Sequence, residues 1–374
     1  MKIEEFKVET WINKYENSCT FDFTNTCVGV LSVAELAKLS ENPGKVVEDI
    51  LDLKLGYGRV PGTERLRRNI AGLYNNAMDF NIVVTHGAIG ANSLAMISLL
   101  EKDDEVITFL PIYQQHYSIP ESVGAKVKKI YLREENNWQI DFDELKSVIS
   151  NKTKMIFLNN PNNPTGKLFD EKTLEALSQI ARKYGTYILC DEVYRGLNHI
   201  GKPFTKSIFD IYERGISTGS MSKTFSLPGL RLGWIVAPAD IVEKINIQRN
   251  YHVICIGRIN DYLASIALEN KDKIVSRNNR ICRENIEMFD SWLSAEPHLS
   301  YIKPHAGTTV FVKYDMKIPS EILCQKLQQD TGIMILPGST MEYENFLRIG
   351  YTNEKESVKP ALTEFSQWLS TNFY

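Results

Sequence analysis

The sequence is poor in the features that mark membrane, secreted and nucleic-acid-binding proteins. No apolar run approaches the roughly 18 residues that a membrane span needs. The first residues, MKIEEFKVET, contain acids and lack the apolar core of a secretory signal. The net charge is −3, with 46 acidic and 43 basic residues spread along the chain. Because no basic patch stands out, we expect neither a nucleic-acid partner nor a membrane partner.

Cysteine and histidine are too scattered for a disulfide framework or a metal site. The six cysteines form no CxxC pair, which in a chain of 374 residues indicates reduced, mostly buried thiols of a cytoplasmic protein. The six histidines form neither HExxH nor another ligand spacing. We therefore expect a cytoplasmic protein without a bound metal.

Strand-like apolar runs alternate with helical patterns through the middle of the chain. With 43% hydrophobic residues a sizeable core is expected. Strands that are separated by helices and apolar on both faces predict a mostly parallel sheet between helices, hence an α/β fold. The strand-like runs are Asn81–Gly87, Asp104–Pro111, Lys126–Leu132, Lys154–Pro161, "TYILCDEVY", "GISTGS" and "LRLGWIVAP".

The pattern changes near Tyr262, where a long, charged helical stretch begins. After it, the isolated strands Thr308–Asp315 and Phe346–Thr352 flank one helix, which predicts a small α+β domain. We expect a large domain over residues 40–265. Residues 1–39 and 266–374 are expected to form the small domain.

Polar motifs follow several of these strands. In an open parallel sheet, ligands bind outside the carboxyl ends of the strands, so these motifs are the candidate site. Taken singly, each fits a turn or a helix cap: "NNPNNPTG" is a good turn sequence, and Asp191 of "DEVY" is a plausible N-cap. Only the combination of motifs is specific.

In their joint order, "YG…PG", "THGAIGAN", "PIY", "NNPNNPTG", "DEVY", "SMSKT…GLRLGW" and "FLRIGYT" resemble the class I/II aminotransferases. The resemblance extends from Tyr57 to Arg348. It implies the fold-type I architecture, with a seven-stranded-type sheet in the large domain, and pyridoxal 5′-phosphate (PLP) as cofactor. It also implies a transaminase that moves the amino group of an L-amino acid to a 2-oxo acid through an internal aldimine on Lys223.

The resemblance assigns residues around the cofactor ring. Lys223 would form the imine and then act as general base, which requires an amine that is partly deprotonated by desolvation and nearby cations. Asp191 would keep the ring nitrogen protonated. Tyr194 and Asn163 would hydrogen-bond the ring hydroxyl oxygen, and Tyr113 would stack on the ring.

The phosphate would be bound by a helix start, a hydroxyl and a cation. "GAIGAN" leads into a helix, so the backbone N–H groups of Ala88 and Ile89 form an anion site. Ser220 would add a hydroxyl group, and Arg231 would add a guanidinium that can donate charge-assisted hydrogen bonds. Tyr57 matches a family tyrosine that reaches the phosphate of the neighbouring subunit, which implies a homodimer with shared active sites.

The substrate α-carboxylate would be bound by Arg348 in "FLRIGYT", together with Asn163. Members of the family that act on dicarboxylates use a second arginine from the partner chain. Arg59 and Arg258 are the candidates here, although for each a structural role is the simpler interpretation.

One segment departs from the family pattern. Relatives often carry Gly-x-Pro near the N-terminus, whereas this chain has "FTNTCVGVLS" (Phe23–Ser32), which leaves Thr26, Cys27 and Gly29 as candidates for the substrate contact. The departure keeps open a β-eliminating C–S lyase or an amino-acid synthase on the same scaffold. A PLP-sensing regulator is a third alternative, but the sequence shows no basic DNA-binding helix.

Overall fold

The computed structural model describes residues 2–373. Its strands are β1 (Phe21–Asp22), β2 (Ile82–Thr85), β3 (Glu105–Leu110), β4 (Lys126–Tyr131), β5 (Thr153–Asn159), β6 (Tyr187–Asp191), β7 (Gly215–Ser220), β8 (Gly233–Val236), β9 (Leu299–Tyr301), β10 (Thr309–Tyr314), β11 (Ile333–Met334), β12 (Leu336–Pro337) and β13 (Phe346–Gly350).

The helices are α1 (Lys7–Tyr15), α2 (Val33–Leu39), α3 (Pro43–Leu51), α4 (Glu64–Ala71), α5 (Gly87–Leu99), α6 (Gln115–Ser122), α7 (Phe142–Val148), α8 (Glu171–Tyr184), α9 (Ile208–Ile211), α10 (Ala239–His252), α11 (Arg258–Glu269), α12 (Lys271–Leu293), α13 (Ser320–Thr331) and α14 (Lys355–Phe373). None of these described helices is long and apolar enough to cross a bilayer.

The central sheet has seven strands in the order β2-β8-β7-β6-β5-β3-β4. Every neighbouring pair is parallel except those of β8, which runs antiparallel to both β2 and β7. Strands β5 to β7 are buried along nearly their whole length because helices cover both faces. The predicted α/β fold with a mostly parallel sheet is confirmed.

The carboxyl ends of the central strands lie side by side. Asn159 at the end of β5 pairs with Asp191 at the end of β6, and Asp191 pairs with Thr218 near the end of β7. The segments that follow these strands therefore begin at one edge of the sheet. This register brings motifs together that are far apart in sequence.

A second, antiparallel sheet has the order β12-β13-β10-β9. The N-terminal segment joins these elements, since β1 pairs in parallel with β11 and the indole N–H of Trp11 donates to the Ile335 carbonyl at 3.0 Å. At the other end of α1, the Lys7 backbone N–H donates to Gln114 Oε1 at 2.8 Å. The first turn of α1 therefore contacts the segment after β3. The middle of α1 contacts Ile335, which lies between β11 and β12.

Candidate active site

A cavity of about 520 Å³ lies at the carboxyl edge of the central sheet. Ten of the eleven site residues that the sequence predicts line it, namely Ala88, Ile89, Tyr113, Asn163, Asp191, Tyr194, Ser220, Lys223, Arg231 and Arg348. The eleventh, Tyr57, does not line the cavity, and its side chain is 88% exposed. The fold therefore gathers the motifs into one pocket and leaves Tyr57 on the surface of this chain.

Lys223 follows β7, and its amine contacts the atypical N-terminal segment. Nζ donates a hydrogen bond to Thr26 Oγ1 at 2.6 Å and contacts Cys27 Sγ at 3.4 Å. Burial opposes the charged ammonium, but the neighbouring Tyr194 and Cys27 outweigh it, so the pKa of Lys223 lies above its ordinary value. In the protein without cofactor these neighbours therefore favour the ammonium. The partly deprotonated amine is expected with the cofactor bound and stays a prediction.

Asp191 ends β6 and is held in orientation by donors on both oxygens. Its Oδ2 accepts from Asn92 Nδ2 at 2.7 Å, and its Oδ1 accepts from the Val193 backbone N–H at 3.1 Å. Asn92 is in turn fixed by Thr218, whose hydroxyl donates to Asn92 Oδ1 at 2.6 Å. The carboxylate that faces the cavity therefore cannot rotate freely.

His116 lies behind the same carboxylate and was not anticipated from the sequence. Its Nε2 is 3.7 Å from Asp191 Oδ2, and its Nδ1 is 3.0 Å from the Tyr113 carbonyl, which can only accept. Burial lowers the pKa of His116, and Asp191 offsets part of that effect. Asn92 was also missed, although it is the last residue of "GAIGAN", because that motif gives no sign of which helical face it occupies.

The anion site combines the start of α5 with Arg231. No side chain caps α5, so its first backbone N–H groups, including those of Ala88 and Ile89, point to the cavity edge without a capping partner. Arg231 adopts a left-handed backbone with φ of 45°. Its guanidinium lies against Gly87, because a Cβ added there would be 2.8 Å from Arg231 Nη2. Uncapped donors beside an arginine and the Ser220 hydroxyl suit a phosphate group.

Gly87 offers a direct test of this anion site. Its φ is +68°, and a Cβ would collide with Arg231, so we expect Gly87→Ala to displace the guanidinium and strain the helix start. The affinity for PLP should fall by about 10-fold to 100-fold, the loss of one to two charge-assisted contacts. A fluorescence titration of the apoprotein with PLP measures it.

Gly90→Ala is the matched control. Gly90 lies in the same helix, but the nearest atoms to an added Cβ are 3.8 Å away, an ordinary contact. PLP affinity should therefore stay within about 2-fold of the unsubstituted protein, since alanine favours a helix. Equal losses in the two variants would contradict the steric argument.

Arg348 lies on β13 in the second sheet and is 3% exposed. Its Nη2 donates to the Thr24 carbonyl at 2.6 Å, and its Nη1 is 3.5 Å from Asn163 Oδ1. Nε has no hydrogen-bond partner within the described residues. Burial lowers the pKa of this guanidinium, which Tyr194 partly offsets. A buried guanidinium on the cavity wall that keeps an unpartnered N–H is suited to bind a carboxylate.

Tyr113 is held from the N-terminal side of the cavity. Its hydroxyl donates a hydrogen bond to Glu9 of α1, and its ring centroid is 4.6 Å from that of Phe6. Burial, followed by Glu9, raises the pKa of the Tyr113 hydroxyl. Sequence reasoning missed Glu9, since α1 reaches the cavity only through tertiary packing.

Only some of the candidates for the substrate contact and for the second arginine line the cavity. Thr26 and Cys27 line the cavity, whereas Gly29 does not. Neither Arg59 nor Arg258 lines it within this chain, and Arg258 instead donates to the Lys54 carbonyl at 2.8 Å. Within residues 2–373 of one chain, the cavity wall therefore contains neither candidate for the second arginine.

The cavity fits PLP on the chemistry of its donors. The uncapped helix start with Arg231 suits the phosphate, the fixed Asp191 carboxylate suits a protonated ring nitrogen, and Lys223 offers the amine that PLP enzymes require. Among residues 2–373 no group of His, Cys, Asp or Glu side chains could hold a metal ion.

Comparisons with known proteins also indicate a PLP enzyme of the aminotransferase type. The family described as aminotransferase class I and II matches residues 40–365. Aspartate aminotransferase of Pyrococcus horikoshii is 30% identical over 77% of this chain and 75% of its own length. Capreomycidine synthase of Streptomyces vinaceus is 27% identical over 98% of this chain and 94% of its own.

Among solved structures, a PLP-dependent aminotransferase from Streptococcus suis superposes with a TM-score of 0.95 at 38% identity, covering 99% of both chains. The chain belongs to the class I and II aminotransferase family, and its cofactor is pyridoxal 5′-phosphate.

Proposed function

We propose that this protein is a transaminase in which Lys223, Asp191 and Arg348 act on one amino-acid substrate, moving its amino group to a 2-oxo acid. The observation that carries the proposal is that these three side chains line a single cavity although they come from two different sheets. A reactive amine, a carboxylate for the cofactor ring and a cation for the substrate carboxylate are the groups that transamination needs.

When bound, PLP supplies an electron sink for the charge left on the substrate Cα after its proton is removed. The Lys223 amine takes that proton as general base, and Thr26 Oγ1 fixes the position of Nζ. Asp191, oriented by Asn92, keeps a proton on the ring nitrogen. Arg348 binds the substrate α-carboxylate and so orients the Cα–H bond.

The remaining contacts hold the cofactor in place. Ser220, Arg231 and the backbone N–H groups of Ala88 and Ile89 would bind its phosphate, with Tyr57 of a partner subunit. Tyr194 and Asn163 would donate to the ring hydroxyl oxygen, and Tyr113 would stack on the ring. Asn163 also lies near Arg348 and would contact the substrate carboxylate.

A donor screen followed by absorbance of the bound cofactor tests the proposed activity. An L-amino acid that is a donor should abolish the band of the resting enzyme, and 2-oxoglutarate or pyruvate should restore it. If no amino acid changes the band, the proposed activity is wrong.

An amino-acid synthase or a β-eliminating C–S lyase is the second candidate. The similarity to capreomycidine synthase along most of the chain, and the contact of Lys223 with Thr26 and Cys27 of the atypical segment, favour it weakly. Release of pyruvate and ammonia from cysteine conjugates without a 2-oxo acid would support the lyase over the transaminase.

We further propose a homodimer in which Tyr57 completes the partner's phosphate site. Large apolar side chains stand exposed in two neighbouring segments: Leu51, Leu55, Tyr57 and Tyr251 are 80%, 81%, 88% and 84% exposed. The hydrogen bond from Arg258 to the Lys54 carbonyl joins the two segments. An apolar surface of this kind is typical of an interface between subunits.

Placing a charge in this surface should separate the subunits. We expect Leu55→Glu to shift the protein toward monomer in size-exclusion chromatography with light scattering, and to weaken PLP binding by about 10-fold as Tyr57 is lost. Ile200→Glu, at a side chain 69% exposed in the loop after β6, is the control and should leave the mass unchanged. A Leu55→Glu dimer of unchanged stability would contradict this interface.

We also propose that the chain divides into the large and small domains defined above and that the protein is cytoplasmic. Strands β2 to β8 fall within 40–265 and β9 to β13 within 266–374. The pairing of β1 with β11 supports placing residues 1–39 with the small domain. All six cysteines are free thiols, which agrees with a cytoplasmic location.

A further inference from the structure

Two charged side chains on the cavity wall have no assigned counterpart under the proposed function. The charged residues that line the cavity are Lys223, Arg231, Arg348, Asp191, Glu9 and Asp22. Under the proposed function, Arg231 pairs with the phosphate, Arg348 with the substrate α-carboxylate, Asp191 with the ring nitrogen, and Lys223 takes part in the reaction. Glu9 and Asp22 have no assigned counterpart.

Each of these two carboxylates has one oxygen held by the protein. Oε1 of the half-buried Glu9 accepts from the Tyr113 hydroxyl. Oδ1 of the half-buried Asp22 accepts from the Thr24 backbone N–H at 2.7 Å and from its hydroxyl at 2.6 Å. The second oxygen of each has no hydrogen-bond donor among residues 2–373, and neither carboxylate forms an ion pair there. Both side chains are therefore fixed while keeping an acceptor available.

Both carboxylates lie on the substrate side of the cavity. Thr24, which holds Asp22, also accepts from Arg348 through its carbonyl, and Tyr113, which holds Glu9, lines the same pocket. The fields of Glu9 and Asp22 both reach the Arg348 guanidinium and favour its charged form. A substrate whose α-carboxylate lies on Arg348 thus places its side chain within the field of two negative groups.

An acidic side chain would be repelled by this arrangement, and a neutral one would leave two carboxylates without a partner in a partly desolvated pocket. A cation would satisfy both. We propose that the amino donor carries a second cationic group, an amine or a guanidinium, on its side chain, and that Glu9 and Asp22 bind it. This inference rests on the proposed function, because it takes Arg348 as the site of the α-carboxylate.

Donor half-reactions of the holoenzyme test the inference without an acceptor. Lysine, ornithine and arginine are compared with norleucine, norvaline, aspartate and glutamate by the rate of change of the cofactor band. Norleucine matches lysine without its terminal amine. We expect at least one basic donor to exceed its neutral isostere by about 10-fold to 100-fold in rate constant over KM, the effect of one partly buried charge pair.

Two variants identify the residues responsible. Glu9→Gln keeps an acceptor for the Tyr113 hydroxyl, and Asp22→Asn keeps one for the Thr24 N–H, but each removes a charge. Both should raise KM for the basic donor and reduce its advantage over norleucine to less than about 3-fold. Glu16→Gln, at the exposed end of α1 outside the cavity, removes the same charge and should preserve the preference.

Calorimetry supplies a readout that does not depend on turnover. ε-Aminocaproate, which is lysine without its α-amino group, should bind the holoenzyme about 10-fold more tightly than caproate, with a difference that shrinks in high salt and in both variants. If neutral or acidic donors react at least as well as basic ones, or if the two ligands bind equally, the inference is wrong and the transaminase assignment stands. If no amino acid changes the cofactor band, both are wrong.

Discussion

Lys223→Ala is expected to abolish turnover, with a loss on the order of 10⁴-fold, because the variant lacks both the amine that bonds the cofactor and the base that moves the Cα proton. Exogenous small amines should restore a fraction of the activity, since they can replace the base but not its fixed position. PLP should remain bound without a covalent link, because the phosphate site that we propose at Arg231 and the start of α5 does not involve the lysine.

Mass spectrometry after borohydride reduction distinguishes the two binding modes. The unsubstituted protein should gain the mass of one cofactor at Lys223, and the variant should gain none. Lys206→Ala is the control, because Lys206 pairs with Glu171 at the surface and does not line the cavity. This variant should gain the same cofactor mass on reduction and turn over at the same rate as the unsubstituted protein. Full activity in Lys223→Ala would overturn the assignment of the site.

Asp191→Asn should lower kcat by about 10²-fold to 10³-fold with a smaller change in KM, because it removes the charge that we propose keeps the ring nitrogen protonated, while the side chain keeps its shape. The amide retains an acceptor for one of the two present donors, Asn92 and Val193, so part of the orientation survives. The absorbance spectrum of the bound cofactor should change as well, which a purely structural role would not produce.

Thermal unfolding separates this electrostatic effect from a loss of folding. The lost acceptor should cost about 1–3 kcal/mol, too little to unfold a domain that buries a core of this size. Asp240→Asn, at an exposed position in the first turn of α10, should leave kcat unchanged. An Asp191→Asn enzyme with normal kcat and spectrum would show that another group protonates the ring.

The central sheet could be predicted because its sequence pattern is local. Each apolar run is bounded by turn residues, and helices of recognisable period separate the runs, so the strands and their parallel arrangement follow from short windows. The carboxyl-edge rule then selects Asp191, Asn163 and Lys223 as candidates without any knowledge of distances. The structure brings these three to one cavity.

The N-terminal wall of the cavity could not be predicted in this way. Glu9 lies there because α1 is fastened to Gln114 on one side and to Ile335 on the other, contacts separated by more than a hundred residues in sequence. No periodicity in the first forty residues encodes those contacts. For the same reason the pKa of Lys223 could not be judged, since it depends on the positions of Cys27 and Tyr194.

Arg348 stands on the second sheet and Lys223 on the loop that leaves the central sheet. A substrate whose α-carboxylate lies on Arg348 and whose Cα–H bond faces the Lys223 amine would therefore contact residues from both parts of the structure at once. Bound substrate should therefore stabilise the packing of the second sheet against the central sheet, because a ligand bound only by the folded state raises the free energy of unfolding.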